Sequence, residues 1–257
     1  MTRASASRAI ASRLAAAGFI AADDEAELLS ARAAGDAGLL EALLRRRLTG
    51  EPLAWITRRV SFCGIDIRVD SGVYVPRSQS ETIARRAADR LPHAGIAIDL
   101  CTGTGAVART LLAAHPRARV VATDIDAKAV ACAVGNGVEA YHGDLFAPAP
   151  RALEGLVDVV VGVVPYVPTP ALATLQRDTF TFESTLAYDG GMDGTAILRR
   201  VVQDSPRFLR RGGALLLELG GTQAEALAGD MKRLGYGGVD VLVDNDGDVR
   251  GIDGRLS

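Results

Sequence analysis

The stretch Ile-Ala-Ile-Asp-Leu-Cys-Thr-Gly-Thr-Gly-Ala, residues 96–106, limits what this chain can fold into more than any other. A short apolar run over 96–98 ends in Asp99. Gly103 and Gly105 follow, and then a helix-like segment over 107–114. Strand, glycine turn and helix in that order bring backbone N–H groups close to a bound ligand. The turn alone points to a nucleotide-like ligand, and the acidic residues downstream decide which one.

The flanking pattern predicts the architecture. Beyond residue 114, apolar segments alternate with helical ones. Strands are expected at 119–125, 137–142, 156–164, 213–219, 239–243 and 249–252, and helices at 127–134, 195–209 and 222–234. Strands that are Val- and Leu-rich on both faces, alternating with helices, argue for a mostly parallel sheet covered on two sides. The last two strands, with only residues 245–248 between them, are expected to form an antiparallel hairpin. Residues 1–50 are rich in Ala, Leu and Arg, with helices expected at 5–17, 22–34 and 39–48 and glycines at their ends. Arg45, Arg46 and Arg47 read as a solvated helix face, with contact to a partner as the alternative. Residues 60–70 alternate well enough for a hairpin around Gly64, and a helix follows over 80–90. The expected organisation is a helical unit over 1–50, a linker with a β-hairpin over 51–80, and an α/β domain over 81–257.

Composition closes off several classes. The 257 residues are 48% hydrophobic, well outside the disordered range. With 29 basic and 31 acidic residues well mixed, no nucleic-acid-binding character is expected. Cys63, Cys101 and Cys132 are odd in number and widely spaced, which suits a reducing interior. No apolar run approaches a membrane span, so a soluble cytoplasmic protein is expected, as a monomer or weak dimer. His93, His115 and His142 are not spaced as metal ligands, and no metal is inferred.

A dinucleotide turn carries three glycines, and Ala108 in place of the last leaves a pyrophosphate-bearing nucleotide open. Against that, Asp99, Asp124 and Asp144 each stand at the end of one of three successive strands. They match a smaller ligand with an amino group, a ribose diol and an adenine amine, all of which donate hydrogen bonds to carboxylates. Singly, each Asp reads as a cap or turn residue; three in register favour a site. The expected cofactor-binding set is Asp99, Cys101, Thr102, Gly103, Thr104, Gly105, Asp124, Ile125, Asp144, Leu145 and Phe146. Phe146 reads equally as an adenine neighbour or a core residue. No paired nucleophile and base stands out, which fits direct transfer without a covalent enzyme intermediate.

The segments DLCTGTGA, ATDID (122–126), HGDLF (142–146) and PYVP (165–168) resemble class I S-adenosylmethionine-dependent methyltransferases. More narrowly, they resemble the protein-(glutamine-N5) methyltransferases that modify peptide-chain release factors. EPLAWITRRVSFCGIDIRVDSGVYVPRSQSE (51–81), GGMDGTAILRRVV and GGALLLELGGTQAE extend the likeness from about residue 50 to the C-terminus. The resemblance implies a Rossmann-like seven-stranded methyltransferase sheet, mostly parallel with its last strand antiparallel. It also implies a small N-terminal helical substrate-recognition domain, S-adenosylmethionine as cofactor, S-adenosylhomocysteine as product and a protein substrate such as a release factor.

The family's acceptor signature is Asn-Pro-Pro-Tyr, whose Asn side chain and a proline carbonyl bind the acceptor amide nitrogen. Here the corresponding residues are Val163, Val164, Pro165 and Tyr166. Valine neither accepts nor donates a hydrogen bond. Three readings follow: transfer to a different nitrogen acceptor, such as an amine or another small molecule; amide methylation with the anchor supplied otherwise, for example by the Val164 carbonyl; or a cofactor-binding interaction protein impaired in catalysis. Arg77 is expected to be structural, with the cofactor carboxylate as its alternative partner. Glu183 and Glu218 read as pocket-wall carboxylates, and Tyr166 reads as either site or packing.

Overall fold

Strand residues facing alternate sides determine how this chain packs. In the computed structural model, which describes residues 3–175, 179–244 and 246–257, two compact units form. One comprises the chain up to Arg59 together with Val69–Gly72; the other comprises Val60–Arg68 and Val73–Ser257.

In the first unit, helices α1 (Arg3–Ala16), α2 (Ala22–Ala33), α3 (Ala37–Leu48) and α4 (Leu53–Thr57) pack around Leu14, Leu29, Leu44 and Ile56, all at most 1% exposed. Asp36 caps α3 by accepting the Leu39 N–H at 2.9 Å. The solvated arginine face holds for Arg45 and Arg46, but Arg47 turns inward. Its guanidinium makes a two-pronged pair with Glu25, at 2.6 and 2.9 Å, and lies 4.0 Å over the Phe19 ring. Burial of Glu25 on α2 is the reason, because a carboxylate withdrawn from water requires a cation.

The second unit holds a short hairpin, β1 (Arg59–Phe62, from Val60 onward) and β2 (Ile65–Arg68), then helix α5 (Glu81–Arg90). The sheet segments follow in the order β3 (Ile96–Leu100), α6 (Ala106–Ala114), β4 (Arg119–Asp124), α7 (Ala127–Gly135), β5 (Glu139–His142) and β6 (Val157–Gly162). After these come α8 (Thr179–Phe182), α9 (Ala196–Phe208), β7 (Leu209–Glu218), α10 (Gln223–Arg233), β8 (Tyr236–Val243) and β9 (Val249–Leu256). Seven strands lie in the order β5-β4-β3-β6-β7-β9-β8. The first five are mutually parallel, while β9 runs antiparallel to both β7 and β8. The expected closing hairpin is present, with β9 inserted between β7 and β8; Asn245 of its turn lies outside the described residues.

Alternation along the strands explains their continuous apolar character. Val159 and Val161 of β6 face one core with Ala97, Leu216, Ile83 of α5 and Leu111 of α6. Val160 between them faces the other, with Leu100, Leu215, Val201 of α9 and Leu227 of α10. Both faces are dry, so valine and leucine run without interruption. The chain leaves β3 toward β4 on one side and later returns to β6 on the other. The crevice at the carboxyl ends of β3 and β6 is therefore a topological switch point, the place where open α/β sheets hold ligands.

Candidate active site

Strand register brings the predicted residues to one edge. Leu100 pairs with Thr123 of β4 and with Gly162 of β6, and Gly162 pairs with Leu217 of β7. The residues that follow each of these in the chain, Cys101, Asp124, Val163 and Glu218, therefore stand side by side at the edge of the sheet.

The glycine loop is held from beneath by Asp99. This side chain is 1% exposed; it accepts the Thr102 hydroxyl at 2.6 Å and the Ala108 N–H at 3.2 Å. Burial raises its pKa to about 7, although Thr102 and the Ala108 N–H pull the other way. Cys101, Gly103 and Gly105 all have positive φ, at 54°, 57° and 79°. At Gly103 an added Cβ would meet nothing within 4 Å, so the backbone lies open to a ligand there. At Gly105 it would lie 3.0 Å from Val138 and 3.2 Å from Ala133, so glycine lets the loop sit closely on its neighbours. Asn136 fastens the loop from the side, donating to the carbonyls of Thr104 and Arg68, both at 2.8 Å.

Asp124 ends β4 as expected. One oxygen accepts the Gly103 N–H at 2.8 Å and the other the Asp126 N–H at 2.9 Å, so the carboxylate clamps the loop it faces. Burial raises its pKa and these two N–H groups oppose the rise. Ile125 beside it is 57% exposed, an apolar surface next to an acid. That pairing suits an adenosine, whose ribose hydroxyls donate and whose base is flat. The Cys101 thiol is held protonated by burial and by the surrounding charges of Asp124, Asp99 and Asp144.

Two expected positions have partners that the sequence does not announce. Asp144 lies beyond the end of β5, which stops at His142, and pairs with Arg200 of α9 at 2.6 Å on the surface. Phe146 is 6% exposed and stacks on Phe208, with ring centroids 4.9 Å apart, as part of the core. Its core reading is the one the structure displays. Leu145 between them is buried with φ of 46°.

On the other side of the crevice, Val163 is partly buried against the Val161 and Leu216 side of the sheet, and Val164 is buried. Tyr166 is gripped at both ends. Its hydroxyl donates to Glu218 Oε1 at 3.0 Å, and its carbonyl accepts Gln223 Nε2 at 2.7 Å. Gly190 and Gly194 wrap its backbone: a Cβ at Gly194 would lie 2.2 Å from the Tyr166 oxygen, and one at Gly190 2.7 Å from the Tyr166 Cα. Arg77 serves structure, with Nη2 2.5 Å from Glu183 and 3.0 Å from the Tyr188 hydroxyl and its guanidinium 4.9 Å from the centre of the Tyr74 ring. Gln223, Asn136, Arg200 and the two glycines are missed by reading single motifs. The glycine density of GGMDG and LGGTQ is the trace that Gln223 and the two glycines leave in the sequence. Among the described residues no cluster of His, Cys, Asp and Glu could hold a metal ion, and no helix is long and apolar enough to cross a membrane.

A seven-stranded sheet of this order, with a glycine loop after β3, an acid at the end of β4 and a Pro-Tyr pair after β6, defines a class I S-adenosylmethionine-dependent methyltransferase. Comparison with known proteins narrows the class. The chain is 35% identical to a release factor glutamine methyltransferase of Geobacter sulfurreducens over 83% of its length and 76% of the relative's. It is 34% identical to that of Cereibacter sphaeroides over 100% of its length and 99% of the relative's. No family model matches. Among solved structures, a chain of the E. cuniculi Mtq2–Trm112 complex, responsible for methylation of the eRF1 translation termination factor, superposes with a TM-score of 0.54. At 24% identity over 72% of this chain and 99% of that one, the likeness shows the fold. The protein belongs to the release factor glutamine methyltransferase family. Its cofactor is S-adenosylmethionine and its product S-adenosylhomocysteine.

Proposed function

We propose that this enzyme methylates the side-chain amide nitrogen of a glutamine in a protein substrate, a peptide-chain release factor being the first candidate. The carrying observation is the Pro165–Tyr166 pair, held beside the glycine loop by the Leu100–Gly162 register in a chain whose relatives bear that name. The cofactor set is Asp99, Cys101, Thr102, Gly103, Thr104, Gly105, Asp124, Ile125, Asp144 and Leu145. Val163, Val164, Pro165 and Tyr166 face the acceptor. We assign substrate recognition to the N-terminal helical unit.

Bound S-adenosylmethionine supplies an electrophilic methyl group on a sulfonium, and what remains for the protein is positional. An amide nitrogen is a weak nucleophile, so its rate depends on being held in line at bonding distance. Asp99 and Asp124 fix the loop that sets one reactant. The Val164 carbonyl and Tyr166 orient the other. The Val163 side chain offers no acceptor for an amide N–H; such an anchor is worth about 3 kcal/mol of transition-state stabilisation, or on the order of a hundredfold in rate, so another group has to supply it.

Radiolabelled cofactor with a release factor carrying a Gly-Gly-Gln loop tests the reading. Label on that glutamine is the expected result. Calorimetric binding of S-adenosylhomocysteine without label on the release factor sinks it. Label appearing instead on a free amine or another component of extract would favour the second reading, a different nitrogen acceptor, for which Val163 is the specific observation. Binding with no turnover in extract would leave an interaction protein.

A further inference from the structure

Glu218 and Val163 share a level and a face. Gly162 pairs with Leu217, so the residues that follow in each strand, Val163 and Glu218, stand next to one another at the sheet edge. Glu218 is 5% exposed, and its Oε1 accepts a hydrogen bond from the Tyr166 hydroxyl at 3.0 Å. A buried carboxylate has only acceptor capacity, so the direction of that bond is fixed while it is ionised: the phenol donates and Glu218 accepts. The Tyr166 oxygen is then left with lone pairs alone. Burial and the adjacent Glu218 charge both keep the phenol protonated, in agreement with this direction.

We propose that the Tyr166 phenol oxygen is the N–H acceptor of this enzyme's acceptor pocket, in the role that Val163 cannot fill, and that Glu218 is the positioning residue that commits its proton. The inference rests on the reading of the acceptor as a glutamine amide, whose nitrogen carries two N–H groups. One N–H meets the phenol oxygen and the other remains for a backbone carbonyl. A carboxylate acceptor, having no donor and facing Glu218, is excluded. Gln223 and Gly194 complete the arrangement by fixing the Tyr166 backbone from which the ring reaches Glu218.

The test uses the full chain saturated with S-adenosylhomocysteine, with tyrosines labelled with carbon-13 at Cζ and the Tyr166 signal assigned by its loss in Tyr166→Phe. Propionamide, the head group of glutamine, is expected to move the Tyr166 signal saturably, and propionate is expected to leave it in place. In the isosteric Glu218→Gln variant the propionamide response is expected to fall to less than half at the same concentration. If propionamide leaves the signal unmoved, or propionate moves it as far, the proposal is overturned. With a labelled release factor, Glu218→Gln should lower kcat at least tenfold in the wild-type background and less than twofold in Tyr166→Phe, with the cofactor KM within twofold throughout. Equal losses in the two backgrounds would mean a structural role and overturn the positioning assignment. A propionamide response in a protein that labels no release factor would sink the release-factor reading and leave this one standing. Label without the response would do the reverse.

Discussion

Asp99 offers a prediction with a calculable size. Its carboxyl is buried beneath the glycine loop with a pKa raised from 3.8 to about 7. The folded state therefore holds a proton that the unfolded chain releases near pH 4. For an acid whose folded pKa is raised, the stabilising contribution is complete below the unfolded pKa. It declines as pH rises and is exhausted above the folded pKa. At about 1.4 kcal/mol per pH unit, the decline amounts to about 4 kcal/mol from below pH 4 to above pH 7, of which about 3 kcal/mol falls between pH 5 and pH 8. Against a typical domain stability of about 5–15 kcal/mol this is a large fraction. Asp124 and Glu218, also raised by burial, add to the slope in the same direction. Asp99→Asn keeps an oxygen for Thr102 and the Ala108 N–H but cannot ionise. Urea unfolding of the cofactor-free protein at pH 5, 6, 7 and 8 should show the wild type losing about 3 kcal/mol more than the variant over that range. Parallel profiles for the two proteins would refute the placement of a titrating carboxyl under the loop.

Other substitutions probe separate links. Gly194→Ala drives a Cβ to within 2.2 Å of the Tyr166 carbonyl and 2.3 Å of Gln223 Nε2, at a φ of +75°. Overpacking and left-handed backbone together should cost about 2–4 kcal/mol by thermal or urea unfolding and lower kcat, while S-adenosylhomocysteine affinity measured by calorimetry is retained. Asp124→Asn can satisfy only one of the two backbone N–H groups that Asp124 now takes, so cofactor affinity should fall about tenfold by the same measurement. Arg47→Ala leaves Glu25 without its two-pronged partner in the helical unit, and urea unfolding should show a loss of about 2 kcal/mol.

Local chemistry made much of this protein legible from its sequence. Gly103 and Gly105 sit where positive φ is needed, and the Val-rich central strand β6 is dry on both faces. Such features depend on neighbours a few residues away, so periodicity and turn chemistry expose them. The Asp99 and Asp124 positions were legible for the same reason, since a strand end announces itself. What sequence reasoning could not reach depends on partners far along the chain. Phe146 stacks on Phe208 rather than standing free, and Asp144 meets Arg200, because α9 packs beside the loop after β5. Arg47 leaves the solvated face of α3 because Glu25 is buried on another helix. Above all, Glu218 reaches Tyr166 only because β7 is paired with β6 in the register that sets Leu217 against Gly162. Register is a property of two strands together, and a single strand's pattern carries no record of which residue will stand beside it.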